Sequence, residues 1–408
     1  MQKSKTPALR VPYALAVHDK DEEKRVLGVL REHRTIIGRE TKEFEKSIAK
    51  LFGKKFGVLV NSGSSANILA FELLDLAYGS EVITPLLTFS TTVAPIVRRG
   101  LVPVFTDVEI GTYVINIDQI EKLITKKTKA LMIPLLLGNV PNMTRLSRIA
   151  RKYNLFLVED SCDTLGATFE GKPTGTYSDI STTSFYGSHI ITAGGGGGMI
   201  MVNSIDWRNR AWMLRGWGRS SSRLAESENI EKRFRVKLDS IPYDAKFIFD
   251  EIGFNFLHPE IGAAFGNAQL KKLNRFKKIR ENNFSCLYDF FSQYENTFTL
   301  PKQDARVSTQ WLAFPLTIKK NAPFSRLKLV KYLEENNIQT RPIFTGNILK
   351  QPAFKNILCR TLANGYPVTD EIMERGFVVG CHHGLEEKHL KKITEVFETF
   401  FKKFTHAY

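Results

Sequence analysis

The sequence predicts an α/β protein built on a wound, mainly parallel sheet. Short apolar runs of strand length recur between residues 57 and 202, and helix-like stretches separate most of them. Strands buried on both faces and joined by helices produce that alternation. The composition agrees, with 43% hydrophobic and 25% charged residues among 408, which is the make-up of an ordinary globular chain with room for a large core.

The elements follow in order. After a polar arm, Val26, Leu27, Val29 and Leu30, then Phe44, Ile48, Leu51 and Phe52, recur at helical spacing among charges and predict two helices between Lys20 and Phe52. Strands are predicted at 57–60, 81–84, 102–106, 129–136, 155–159 and 199–202. Residues 207–256 are less regular and carry the charged segment 223–237, a surface excursion near a binding face. A long helix is predicted over 259–288. Beyond it, short apolar runs alternate with amphipathic stretches up to 387–404, the pattern of a smaller α+β domain. The division falls at 1–270 and 271–408.

Charge and cysteine narrow the function classes. Lys+Arg 58 against Asp+Glu 42 gives a net charge of +16, but the basic pairs Lys126-Lys127, Lys271-Lys272, Lys277-Lys278 and Lys391-Lys392 are dispersed and not interleaved with aromatics. They predict solvated helix faces and no nucleic-acid partner. Cys162, Cys286, Cys359 and Cys381 form no C-x-x-C pair, so neither a disulfide framework nor a zinc ribbon is expected, and the expected compartment is a reducing cytoplasm. The N-terminal stretch lacks the apolar centre of a secretory signal, and no run of about 18 apolar residues predicts a membrane span.

The chemistry-bearing residues cluster at strand ends. Residues 61–67, Asn-Ser-Gly-Ser-Ser-Ala-Asn, follow the first strand and open a helix; small residues let N–H groups close around an anion, although a serine-rich helix cap reads the same way. Asp160 ends a predicted central strand, where ligands sit in open α/β sheets, and fits either a cationic ring nitrogen or a capping role. His189 lies between the strand end at Ser184 and the glycine run 194–198, which implies backbone pressed against a neighbour.

The order and spacing of these segments resemble the sugar-nucleotide aminotransferase (DegT/DnrJ/EryC/StrS-type) family of fold type I pyridoxal-phosphate enzymes. The resemblance runs over nearly the whole chain, through residues 38–44, 61–67, 79–85 with Thr88-Phe89, 103–107, Glu159-Asp160, Ser184-Phe185, Gly253-Phe254-Asn255 and Ala268-Gln269-Leu270. It implies a large domain with a seven-stranded sheet plus a small C-terminal domain. It places Gly63, Ser64, Ser65 and Ser184 at the cofactor phosphate, Phe89 on the pyridine ring and Asp160 at the ring nitrogen. Asp163 would lie near the ring oxygen or substrate. Asn255 would reach the cofactor phosphate of a neighbouring subunit, implying a homodimer.

His189 stands where ordinary members carry the lysine that forms the cofactor imine. Imidazole cannot anchor the cofactor covalently, but its ordinary pKa near 6.5 suits proton transfer, so the free amine, pyridoxamine phosphate, is favoured. That substitution resembles the branch of 3-dehydratases acting on nucleotide-linked 4-keto-6-deoxyhexoses in deoxysugar biosynthesis, with glutamate as a possible amino donor. Arg219 and Arg341, in variable loops, are the expected substrate contacts. One group of that branch carries a [2Fe–2S] cluster on cysteines after a Trp-Gly-Arg segment; here Trp217-Gly218-Arg219 runs into Ser220-Ser221-Ser222, so no cluster is expected. Asp163 is expected to hold His189 protonated. An aminotransferase tolerating histidine and a non-catalytic homologue stay open as alternatives.

Overall fold

The computed structural model describes residues 9–223 and 229–405. Its centre is a seven-stranded sheet whose strands, in chain order, are β1 (Phe56–Val60), β2 (Glu81–Pro85), β3 (Val102–Thr106), β4 (Thr128–Pro134), β5 (Phe156–Asp160), β6 (Ile180–Ser184) and β7 (Gly198–Val202). In space they run β1-β7-β6-β5-β4-β2-β3. All neighbours pair in parallel except β7, which is antiparallel to both β1 and β6. Helices cover both faces. Ala66, Leu69 and Leu73 from the helix Gly63–Leu74 pack with Val58, Val158 and Ile200 on one side, and Met143, Leu146 and Ile149 from the helix Met143–Lys152 pack with Ile83, Leu131 and Ile133 on the other.

A second, antiparallel sheet lies C-terminal to the first, in the order Phe298–Thr299, Phe314–Ile318, Gly376–Val379, Thr340–Arg341. Its core draws on the helices Leu273–Ser292, Arg326–Glu335 and Glu387–Thr405 through Leu287, Phe291, Leu329, Leu333, Ile393 and Phe397. The N-terminal arm joins it, because Val11 bridges Ile338.

Three sequence expectations change. Strand β6 was anticipated only at its end, Ser184, and is missing from the apolar runs; its Ser181, Thr182 and Thr183 are polar yet wholly buried, and β-branched threonine suits a pleated surface whatever its hydroxyl. Residues 207–256 begin inside a regular helix, Ile205–Arg215, capped by the Ser204 hydroxyl. The long helix of 259–288 is two, Glu260–Lys271 and Leu273–Ser292, meeting at Lys272, whose ammonium is held by Asp19 and Glu22 of the first helix region. Part of the charged segment 223–237, residues 224–228, lies outside the described residues. Among the described residues no helix is long and apolar enough to cross a membrane.

The helix Arg39–Leu51 shows how distant segments lock together. Its N-cap is Gly38, which has no side chain to satisfy the free N–H groups of the first turn. The buried Glu260 carboxylate does so from another helix, accepting from the N–H groups of Gly38 (2.8 Å), Glu40 (2.5 Å) and Thr41 (3.1 Å) and from the Thr41 hydroxyl (2.6 Å).

Candidate active site

The carboxyl ends of β4, β5 and β6 open into a cavity of about 360 Å³. Asp160 closes β5 there and is 6% exposed. Its Oδ2 accepts from Asn67 Nδ2 (2.9 Å) and Thr92 Oγ1 (2.8 Å), and its Oδ1 from the Cys162 N–H (3.2 Å). Asn67 is in turn fixed by the Thr182 hydroxyl of β6 at 2.6 Å. All three donors to Asp160 are neutral, so a buried carboxylate faces the cavity with its charge uncompensated by a cation among them, an arrangement that favours a cationic ligand group.

At one side, Ser62 Oγ caps the helix Gly63–Leu74, and Ser62, Gly63 and Ser64 line the cavity. The first N–H groups of a helix have no partners within it and attract anions. A Cβ built on Gly63 would stand 2.7 Å from both Cys162 Sγ and Ser184 Cβ, so only glycine leaves that approach open. Ser184 lines the same corner; Ser65 does not, because its hydroxyl donates to Asn61 Oδ1 at 2.6 Å and its N–H to Ser62 Oγ. Ser65 therefore supports the turn instead of meeting a ligand. The glycine run is pressed against this corner only at its end: a Cβ on Gly198 would fall 2.2 Å from the Ser62 carbonyl carbon, whereas Gly195 has open space around it.

His189 enters from the loop after β6. Its Nδ1 lies 3.4 Å from the Ser184 carbonyl, a geometry that puts the proton on Nδ1 and the lone pair on Nε2. Nε2 faces Asp163 Oδ1 at 4.0 Å, and the Tyr186 ring stands edge-on to the imidazole at 6.0 Å. Burial pushes the imidazole down to about 4. Burial likewise pushes Asp163 up to about 7, with nearby Asp160 adding to the rise and the Leu137 N–H opposing it. Burial of both groups thus works against the expectation that Asp163 holds His189 protonated: desolvation disfavours the imidazolium and the carboxylate alike. The Cys162 thiol, raised by burial beside Asp160, stays a thiol.

A second, more open cavity of about 640 Å³ adjoins the first, sharing Tyr13, Phe89 and Phe344. Phe89 is 51% exposed and meets Phe344 edge to face. Arg341 lines this outer cavity over the Tyr13 ring. Arg219, expected at the substrate, and Asn255, expected at a neighbouring subunit's cofactor phosphate, both lie outside these two cavities. Arg219 is folded onto the rings of Trp217, Phe247 and Phe249 and lines neither cavity, and Asn255 is exposed beside Trp217 and His258. Sequence reasoning missed Asn67 and Thr92. Asn67 sits one helical turn after Gly63 on the same face, and that spacing was a usable signal.

The model of the DegT/DnrJ/EryC1/StrS aminotransferase family matches residues 17–398. The chain belongs to that family. It is similar to the lipopolysaccharide biosynthesis protein RfbH of Salmonella typhimurium, 39% identical over 89% of this chain and 85% of that one. It is 37% identical to the dTDP-4-dehydro-2,6-dideoxy-D-glucose 3-dehydratase of Saccharopolyspora spinosa, over 95% and 86% of the two chains. Among solved structures, the E. coli GDP-4-keto-6-deoxy-D-mannose-3-dehydratase with bound hydrated PLP superposes with a TM-score of 0.85 at 31% identity, covering 95% of this chain and 100% of that one. The fold is therefore fold type I, and the family uses pyridoxal or pyridoxamine phosphate. The residues present fit that cofactor: an anion corner at Gly63, a buried carboxylate for a ring cation, and an imidazole between them. Among the described residues no group of three or more His, Cys, Asp or Glu is placed to hold a metal.

Proposed function

We propose that the protein removes the C3 hydroxyl of a nucleotide-linked 4-keto-6-deoxyhexose, using pyridoxamine phosphate. The observation that carries this reading is His189: within the cofactor frame, the residues lining the cavity include an imidazole, whose pKa burial lowers, and no lysine. Bound pyridoxamine phosphate supplies an amine for the C4 ketone and an electron sink that lets the C3 oxygen leave. Gly63, Ser64 and Ser184 hold the phosphate, Asp160 keeps the ring nitrogen protonated, and Phe89 covers the ring. His189 Nε2 takes a proton from the carbon bearing the amine. Asp163, able to carry a proton near neutral pH, stands beside that base and is a proton source for the departing oxygen. The outer cavity with Arg341 takes the nucleotide diphosphate, hydrolysis of the eliminated product returns the C4 ketone and releases the nitrogen as ammonia, glutamate restores the cofactor amine, and residues 1–270 and 271–408 are the cofactor-binding and the small C-terminal domain.

The working form is a homodimer in the cytoplasm. Trp217, Phe247, Phe249 and the 98% exposed Ile252 leave apolar side chains exposed in the segment that carries Asn255, with Arg219 stacked on the three rings, which supports a second copy of this chain there whose cofactor phosphate Asn255 would reach. No iron–sulfur cluster takes part, since serines follow Trp217-Gly218-Arg219 and the four cysteines are scattered through the fold. The test is incubation of purified protein and pyridoxamine phosphate with GDP- and dTDP-linked 4-keto-6-deoxyhexoses, followed by mass spectrometry. Loss of one oxygen with release of a 3-deoxy-4-keto sugar is expected; an amino sugar as the dominant product would replace this reading with transamination.

A further inference from the structure

Arg280 lies midway along the helix Leu273–Ser292 and is 1% exposed. Taking a guanidinium out of water costs several kcal/mol, so its hydrogen bonds must be well formed to keep it there. Its acceptors are His383 Nδ1 and the carbonyls of Trp311 and Leu312, each at 3.2 Å, and none is a carboxylate. The Trp311–Leu312 peptide is thus held at its oxygen by a cation, while its N–H, on Leu312, donates to the Leu137 carbonyl at 2.8 Å. A cation on the carbonyl polarises an amide and strengthens its N–H as a donor.

Leu137 is left-handed, at φ 58° and ψ 13°, a conformation that a residue with a bulky side chain holds only under constraint. In that conformation its own N–H reaches Asp163 Oδ2 at 3.0 Å, and Asp163 Oδ1 faces His189 Nε2. The next residue, Gly138, is gripped from the same segment. Thr309 Oγ1 donates to its carbonyl at 2.5 Å, and a Cβ on Gly138 would strike the Gln310 carbonyl oxygen at 2.7 Å.

We propose that Arg280 is a positioning residue for the acid/base pair: its buried guanidinium clamps residues 309–312 onto the strained turn at Leu137 and so fixes Asp163 against His189. The inference rests on the reading of His189 as the base. The charge of Arg280 acts in the same sense as burial, disfavouring imidazolium at His189, with Asp160 and the Ser184 carbonyl acting against it; the carboxyl of Asp163 and the ring of Tyr186 are the other groups facing the imidazole.

The test uses nitrogen-15 histidine spectra of the cofactor-free protein, with the His189 signals assigned by an H189Q comparison, together with steady-state kinetics of the loaded protein. R280Q is expected to raise the His189 titration midpoint and to lower kcat by ~10–100-fold, with KM changed by no more than about threefold, as a displaced acid/base pair requires. R280K keeps the charge without the planar fork, so its midpoint stays near wild type while kcat falls less. If R280Q does not fold, T309V releases the same segment with the cation in place and should lower kcat with an unmoved midpoint. A folded R280Q with wild-type kcat and midpoint, whatever its thermal stability, overturns the proposal, as does a T309V with wild-type kcat. Absence of dehydration by the wild-type protein would sink the functional reading alone, because the midpoint comparison needs no substrate.

Discussion

Replacing Asp163 by asparagine separates two descriptions of the acid/base pair. The 4.0 Å approach of Asp163 to His189 is compatible with an ion pair, yet burial drives the carboxyl from 3.8 to about 7 and the imidazole from 6.5 to about 4, which disfavours the charged form of each. A carboxyl displaced that far has ~4 kcal/mol set against its ionised form. A raised carboxyl contributes stability that is complete below pH 3.8 and is lost as the pH climbs through 7. D163N keeps an acceptor for the Leu137 N–H but has nothing to ionise. In the cofactor-free protein, the stability of D163N relative to wild type should therefore improve by ~3 kcal/mol between pH 5 and pH 8.5. Thermal unfolding followed by fluorescence at several pH values measures that difference. The buried Glu159, also raised to about 7, is common to both proteins and cancels. If D163N is destabilised equally at pH 5 and pH 8.5, Asp163 is ionised throughout and the neutral-pair reasoning is wrong.

Three further outcomes follow from the geometry. H189K should form an imine with pyridoxal phosphate, visible as a new absorbance band that borohydride removes, and should lose dehydration; an unchanged spectrum would mean that position 189 does not reach the aldehyde carbon. G63A forces a methyl group against Cys162 and Ser184, and overpacking of that kind costs ~1–3 kcal/mol, so affinity for pyridoxal phosphate should fall by about tenfold in an absorbance titration. E260A strands three N–H groups and a hydroxyl at the start of the helix Arg39–Leu51 and should destabilise the fold by ~3 kcal/mol, with E260Q recovering part of it; a urea midpoint within error of wild type for E260A would show that water replaces the cap.

Much of this site was legible because its residues sit where chain pattern changes. Asp160 ends an apolar strand, Gly63 stands between strand and helix, and His189 precedes a glycine run; each boundary is a property of a few adjacent residues. The supports were not legible for the opposite reason. Asn67 and Thr92 meet Asp160 across 93 and 68 positions of sequence; the spacing of Asn67 from Gly63 hints at its face, but nothing local to Thr92 distinguishes it from an ordinary polar helix residue. Strand β6 escaped for want of apolar residues, since its threonines satisfy their hydroxyls inside the sheet: Thr182 on Asn67, Thr183 on the Ser161 carbonyl. The place of Arg219 was not legible because a loop arginine can equally stack on aromatic rings, here Trp217 beside it and Phe247 and Phe249 from a segment about 30 residues on. The protonation of His189 turned on relative burial, which a sequence does not carry.

The cavity wall also has a temporal meaning. Tyr13 belongs to an arm pinned beside Ile338, and Leu312 and Phe344 come from the C-terminal sheet region, whereas Asp160, Gly63 and His189 belong to the first sheet. During synthesis the anion corner and the carboxylate take shape while Phe344 is still unmade, and the arm has no docking place until residue 338 emerges. The pocket wall is thus complete only when segments more than 300 residues apart in sequence, Tyr13 and Phe344, have come together over the first sheet.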